Sequence, residues 1–297
     1  MYTSAAKYLS SLLFISVYFF SCVPQKKVAL QQQQLAKVDS QLLKHNLQLK
    51  ELNARRQKKQ DLNEMDDVAS SQIQNFIENS NTEIDKIVTE NSVLVGKTAV
   101  DKNDWKSLNK ALTFSQSKQK LIGDKLSLIT ELINRNTVVM LDQDVLFTPG
   151  QYNLSPAVSF TLGKTFQPVV KEIDYFVNKY PDFPLSLVIT AKGYADATTI
   201  SEKSVLYKKL QDRLSLSNAK PTNEELNKEL SNARAQSVIN LLKTFTVGKS
   251  ADGKSVKNIL YLYEGKGEKL PDLKITNYKE DDARRRVVLL FWSIFPD

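Results

Sequence analysis

Apolar and polar positions follow one rule in the first half of this chain of 297 residues and another in the second. After the run Gln31-Gln32-Gln33-Gln34, apolar residues fall at Leu35, Val38, Leu42, Leu49 and Leu52, and His45 fills the one polar slot. Steps that alternate three and four are the seam of a coiled coil. The spacing weakens through Arg55-Arg56-Gln57-Lys58-Lys59 and resumes at Ile73, Ile77, Ile84 and Ile87. No glycine or proline interrupts residues 28–94, so one continuous helix is allowed there. Gly96 is the first glycine, and Asp101 and Asp104 are N-cap candidates for a second helix over 103–134. That helix carries Leu108, Leu112, Ile122, Leu126, Ile129 and Ile133 on one side. Two arrangements stay open: a hairpin turned at Gly96, or one kinked rod in an oligomer. Either way residues 28–136 read as helix without a globular core, a spacer that pairs with itself or a docking surface for another protein.

At about residue 137 the rule changes. Proline and glycine appear, and β-branched runs replace the Gln/Lys-rich helix. Residues 137–141 and 145–147 read as β-structure. A helix follows over 159–179, with Phe166, Val169, Val170, Ile173, Phe176 and Val177 as its buried stripe, and Pro181 and Pro184 end it. The apolar run 185–191 reads as a central strand. An amphipathic helix over 227–245 and strands over 259–263 and 287–292 complete the series. The order β-α-β-α-β-β predicts an α+β fold, a two-layer sandwich with helices against one face of a mixed sheet.

The N-terminus adds a destination. Lys7 precedes an apolar stretch over 9–20 that ends at Ser21-Cys22. That length suits a signal-peptide core rather than a span, which needs roughly 20 apolar residues. The chain has one cysteine and one histidine. No Cys–His nucleophile and no His/Cys zinc cluster can be assembled from them outside the signal region, so neither a catalytic site nor a metal or cofactor site is expected. The formal net charge of +8 suits an anionic surface such as a cell wall or lipid headgroups. No nucleic-acid motif accompanies that charge.

Candidate chemistry lies in two separated motifs. Gly193-Tyr194-Ala195-Asp196 ends the central strand, and Asn227-Lys228-Glu229-Leu230-Ser231-Asn232-Ala233-Arg234-Ala235 opens the long helix. Together they place one carboxylate at a strand end and one guanidinium in the next helix, a pair suited to a zwitterion. The strand exit from Phe147 to Leu154 and the cluster Arg284-Arg285-Arg286-Val287 add two further stations. Over residues 138–292 these four stations resemble the OmpA-like peptidoglycan-binding family. The resemblance implies that Asp196 contacts the ammonium of a stem-peptide diamino acid and Arg234 its carboxylate. Arg can grip a carboxylate through two parallel N–H donors. By the same resemblance Asn227 orients the loop or a peptide carbonyl, Gly193 opens the motif, and one of Arg285 and Arg286 supports the pocket. Read without it, Asp196 and Arg234 form a buried ion pair that locks strand to helix.

Departures from the family are visible. Tyr194 and Ala195 replace the usual His-Thr, Arg284 stands where the family has Asn, and 197–226 is an insertion that reads as neutral elaboration, as a new pocket rim or as a partner contact. Ser21-Cys22 resembles a bacterial lipoprotein processing site, although Phe19 stands where Leu is usual. That resemblance implies cleavage before Cys22 and lipid attached to it. The expected organisation is a signal peptide over 1–21, a tether over 22–27, the helical region 28–136 and a wall-binding domain over 137–297. The expected protein is a non-enzymatic lipoprotein of the outer membrane, facing the periplasm, with peptidoglycan and the membrane as partners. The alternatives are a scaffold whose coiled coil recruits an envelope complex or associates with itself, and a wall hydrolase.

Overall fold

A computed structural model describes residues 24–135, 137–181, 183–215, 220–251 and 256–296. The expected signal segment 1–21 and the lipid site Cys22 lie outside the described residues. Two compact units result, one from the chain up to Leu52 with Asn75–Ser127, the other from Asn53–Gln74 with the chain from Leu128 onward.

Three helices, α1 (Gln25–Asp61), α2 (Asp67–Val95) and α3 (Lys102–Asn134), each contribute a segment to both units. In the first unit the seam has a core. Leu35, Leu42, Leu49, Ile84 and Leu108 are all but inaccessible to solvent. Cross-helix bonds fix the directions. Asn46 donates to Asp85 and Gln32 to the Leu94 carbonyl, so α2 runs back along α1. Gln31 donates to Asn109, and Gln119 meets His45, so α3 runs parallel to α1. The hairpin at Gly96 is therefore the arrangement formed, and the seam is buried within a single chain rather than left for an oligomer. Asn91 joins all three helices, donating to Asp39 Oδ1 at 2.6 Å and Ser115 Oγ at 2.9 Å. Burial pushes the Asp39 carboxyl above its ordinary range, against the hydrogen bond from Asn91. Such a polar layer inside an apolar seam specifies register.

The uninterrupted helix over 28–94 does not form. It breaks at residues 62–66 without glycine or proline. Asn63 takes φ +55°. The Glu64 amide bonds the Lys59 carbonyl at 2.8 Å and the Asn63 amide bonds Gln60 at 3.0 Å, a Schellman stop with asparagine in the left-handed position. Asp66 then caps α2, accepting from the Val68 amide at 3.0 Å.

The second unit is mixed α+β. Its elements are β1 (Val138–Asp142), α4 (Gln143–Leu146), α5 (Pro156–Lys179), β2 (Leu185–Gly193), α6 (Val205–Arg213), α7 (Asn223–Ala251), β3 (Val256–Gly265) and β4 (Val287–Pro296). One four-stranded sheet runs β1-β4-β2-β3, with β2 and β3 parallel and the other pairings antiparallel. Both β3 and β4 extend past their expected ends. The helix expected from 227 begins at Asn223, because Thr222 and Glu225 form a reciprocal capping box. Of the residues expected as strand over 145–147, Val145 and Leu146 lie within a single helical turn and Phe147 caps it. Asp142 caps α4 by accepting the Asp144 amide at 2.9 Å, and Val145 points to solvent.

α5 and α7 cover one sheet face, where Phe176 meets Trp292 edge-on at 6.3 Å. Pairing puts Gly193 beside Gly265 and Val288 on this face. The opposite face carries Val287, Leu289, Phe291 and Tyr194 in one buried cluster, with Lys192 over the Phe291 ring. It is not left bare. The α1–α2 corner docks there, with Lys192 Nζ 3.0 Å from Asp67 and 3.7 Å from Asp66. Asn63 Nδ2 donates to the Tyr194 hydroxyl at 2.8 Å and to the Pro271 carbonyl at 2.9 Å.

Candidate functional site

Glycine at two strand ends lets helix α7 reach its place. A Cβ on Gly193 would stand 2.0 Å from the Ser231 carbonyl oxygen, and one on Gly265 would stand 2.3 Å from that of Lys228. The backbone approach requires glycine at both positions. With these contacts the first turns of α7 lie against the ends of β2 and β3. Ser231 Oγ then accepts the Gly267 amide at 3.0 Å, and the Ala195 amide bonds the Gly267 carbonyl at 2.8 Å.

Beyond those strand ends opens a cavity of about 530 Å³. Asp196, Asn227, Arg234 and Arg286 line it together with Asp144. Gly193 and Arg285 are off its lining. Gly193 serves the helix contact. Arg285 is buried under the following loop, donating to the carbonyls of Glu268, Lys279 and Glu280. Residues of the insertion form one wall through Thr198, Ile200, Ser204 and Leu206. Helix α6 is held to α7 by the cluster Tyr207, Leu210, Leu226 and Leu230. The segment read as an insertion thus lines the rim of the cavity.

Four charged side chains meet here, and they pair unevenly. Arg286 grips Asp144 through two nitrogens, at 2.9 and 2.6 Å, and turns its Nη1 to Asp196 Oδ2 at 2.6 Å. The Arg286 hydrogen bonds hold the Asp144 carboxyl below its usual range, against its partial burial. Asp196 Oδ1 accepts the Thr198 amide at 3.3 Å, its one partner among the described residues. The ion pair between Asp196 and Arg234, the reading made without the resemblance, is not formed among the described residues. Arg286 takes the carboxylate instead, because it stands at the start of β4 directly beside the β2 exit.

Arg234 is left among neutral acceptors. Its Nη1 donates to Gln143 Oε1 at 2.6 Å and its Nε to the Gln151 carbonyl at 3.2 Å. The guanidinium lies over the Phe147 ring, 5.2 Å from its centroid. Among the described residues no carboxylate pairs with it directly and no acceptor takes Nη2. Burial pulls its pKa down to about 10, against the fields of Asp144 and Asp196, so it remains charged at neutral pH. Asn227 donates to Glu268 Oε1 at 2.8 Å and to the Thr198 carbonyl at 3.3 Å, tying residue 198 to the turn that follows β3.

Gln143 and Asp144 are site residues that the sequence reading missed. Their signal was the cap residue Asp142 before an apolar run, which marks a helical turn as readily as a strand. Among the described residues no group of His, Cys, Asp and Glu is arranged to hold a metal. No helix among them is long and apolar enough to cross a membrane.

No family profile matches the chain, and no curated protein does. Among solved structures it is similar to the periplasmic domain of Helicobacter pylori MotB, with 15% identity over 52% of this chain and 74% of that one, and a TM-score of 0.27. It is also similar to the cell wall anchor of the T6SS from Pseudomonas aeruginosa, with 17% identity over 58% of this chain and 97% of that one, and a TM-score of 0.25.

Proposed function

We propose that the cavity binds the diamino acid of a peptidoglycan stem peptide and that the protein is a non-enzymatic envelope anchor. One observation carries this reading. Arg234 is a buried cation in a cavity, held by uncharged acceptors and lacking a carboxylate of its own. A buried charge is tolerated only when something compensates it. A ligand carboxylate on the free Nη2 completes it, while Asp196 Oδ1 receives the ligand ammonium. Phe147, Ile200, Leu206 and Leu230 offer an apolar wall to the aliphatic chain between them. The register of Asp196 and Arg234 with the OmpA-like motifs agrees with this assignment.

A hydrolase is disfavoured by the state of the two carboxylates. A glycosidic general acid needs a raised pKa, and Arg286 moves Asp144 the other way while also engaging Asp196. Attachment to the outer membrane rests on the Ser21-Cys22 pattern. Several acyl chains on Cys22 hold the protein there, since one binds only marginally.

The test is co-sedimentation of the full chain with purified peptidoglycan. Wild type pellets, and Arg234→Ala and Asp196→Ala stay in the supernatant. Pelleting of both variants at the wild-type level overturns the assignment. Membrane fractionation of Cys22→Ala tests the anchor separately, and retention in the membrane refutes it. A second reading, a scaffold for an envelope complex, is favoured by Leu43 and Leu47, exposed one turn apart on α1. Cross-linking from position 47 in cells decides it. A single captured envelope protein supports the scaffold, and none rules it out.

A further inference from the structure

We propose that Gln143 is the positioning residue that makes this cavity select a ligand bearing a free carboxylate. The inference rests on the cavity reading above and extends it to a residue outside the family motifs. Gln143 is 1% exposed. Its side-chain amide has no freedom of orientation. Nε2 donates to the Tyr194 carbonyl at 2.8 Å and to the Val287 carbonyl at 2.8 Å. Two carbonyl acceptors demand the NH₂ end, because a flipped amide would set oxygen against oxygen. Oε1 is thereby aimed at Arg234, and the group facing the guanidinium is a neutral oxygen. The backbone amide of Gln143 bonds the Arg286 carbonyl at 2.9 Å, which fixes the residue to the start of β4.

The consequence is a division of labour among the charges. Asp144 and Asp196 are both engaged by Arg286, so neither neutralises Arg234 by contact. Gln143 holds the guanidinium still without quenching it. A carboxylate arriving at Nη2 meets a fixed, desolvated cation with no carboxylate in contact, and such charge-assisted bonds are the strong ones. An amide in the same place offers only a neutral acceptor, so the clamp sets a preference for acid over amide.

Two synthetic stem peptides test this, identical except that the diamino-acid carboxylate facing Arg234 is free in one and amidated in the other. Binding of each to the full chain is measured by calorimetry. Wild type is expected to favour the free acid by tenfold or more. Gln143→Glu supplies Arg234 with a carboxylate, so its preference falls toward one. Gln143→Met removes the clamp but adds no charge. The acid then loses more affinity than the amide, because the guanidinium is no longer held in aim, and the preference shrinks. A merely structural role for Gln143 would lower both affinities equally in both variants. An equal affinity of wild type for the two peptides overturns the proposal, as does an undiminished preference in Gln143→Glu. If Gln143→Glu does not fold, the wild-type ratio and Gln143→Met decide, and an undiminished preference in Gln143→Met refutes the clamp. If wild type binds neither peptide, or Arg234→Ala binds both as well as wild type, the underlying cavity reading fails instead.

Discussion

Two buried cations stand on opposite faces of the sheet near the end of β2, and only one of the two has a carboxylate of its own. Lys192 is almost wholly buried on β2, over the Phe291 ring, with Asp67 at 3.0 Å and Asp66 at 3.7 Å. Arg234 is about as buried, also over an aromatic ring, yet it is held by a glutamine oxygen and a backbone carbonyl. Burial and an aromatic neighbour are common to both, so neither marks a binding group. The partner does. Lys192 has its countercharge from the α1–α2 corner and serves to dock that corner. Arg234 faces a cavity with its charge uncompensated by contact. Replacing each with methionine, which keeps length and removes charge, should therefore give opposite phenotypes.

The largest expected effect is on Lys192→Met. It leaves Asp66, itself buried, without its cation, and breaking a buried pair from one side costs about 3–5 kcal/mol. Chemical denaturation should show that loss, while the folded fraction still binds peptidoglycan. Arg234→Met should do the reverse. Removing one member of a desolvated charge contact costs binding about 2–5 kcal/mol. Stability should hold or rise, because a desolvated cation has been removed from the free protein. If Arg234→Met destabilises as Lys192→Met does, the two cations are alike and the binding role of Arg234 is lost.

How much of this was legible in the sequence follows from what each signal depends on. The seam residues of α1 and α3 and the stripe of α5 are periodic, and periodicity survives any tertiary arrangement. Asp196, Asn227, Arg234 and Arg286 were singled out by resemblance to family motifs, and all four line the cavity. What the sequence hid depends on partners far along the chain. Gln143 lies 91 positions from Arg234, and nothing local marks its amide as a clamp. The break at 62–66 is made by Asn63 in the left-handed region and Asp66 as a cap, residues that read as ordinary helix surface without the backbone in view. Lys192 followed an apolar run and drew no attention, because its burial requires a corner 125 residues earlier. The segment 197–226 looked dispensable because long loop insertions cost little, and its packing of Tyr207 and Leu210 against Leu226 and Leu230 depends on a helix that follows it.

A smaller effect sharpens the comparison at that corner. Asn63 combines a left-handed backbone with bonds to Tyr194 and Pro271. Asn63→Ala should cost about 1–2 kcal/mol, because alanine has no side chain to stabilise that conformation. Asn63→Gly keeps the backbone and loses only the side-chain bonds, so its cost should be the lesser. Equal losses in both would mean that the turn conformation contributes nothing. Peptidoglycan binding should be unchanged in either, since the corner anchors Tyr194 through its hydroxyl and the cavity uses its carbonyl.

The smallest effect is confined to acid and concerns a carboxylate as fully engaged as Lys192. Glu131, near the end of α3, is desolvated, which raises its pKa. Hydrogen bonds from Lys179, Arg135, Tyr180 and Tyr175 outweigh that and bring it down to about 2. A carboxylate with a depressed folded value stabilises above its ordinary value near 4.5, and that contribution is lost as pH falls from there through about 2. Thermal melts of wild type should therefore decline across that window. Glu131→Gln should decline less steeply, since glutamine has no proton to take up. Equal slopes would show that the Glu131 network carries no linkage. The cluster would then be an exposed group of charges screened by water, not a second docking point between the end of α3 and α5.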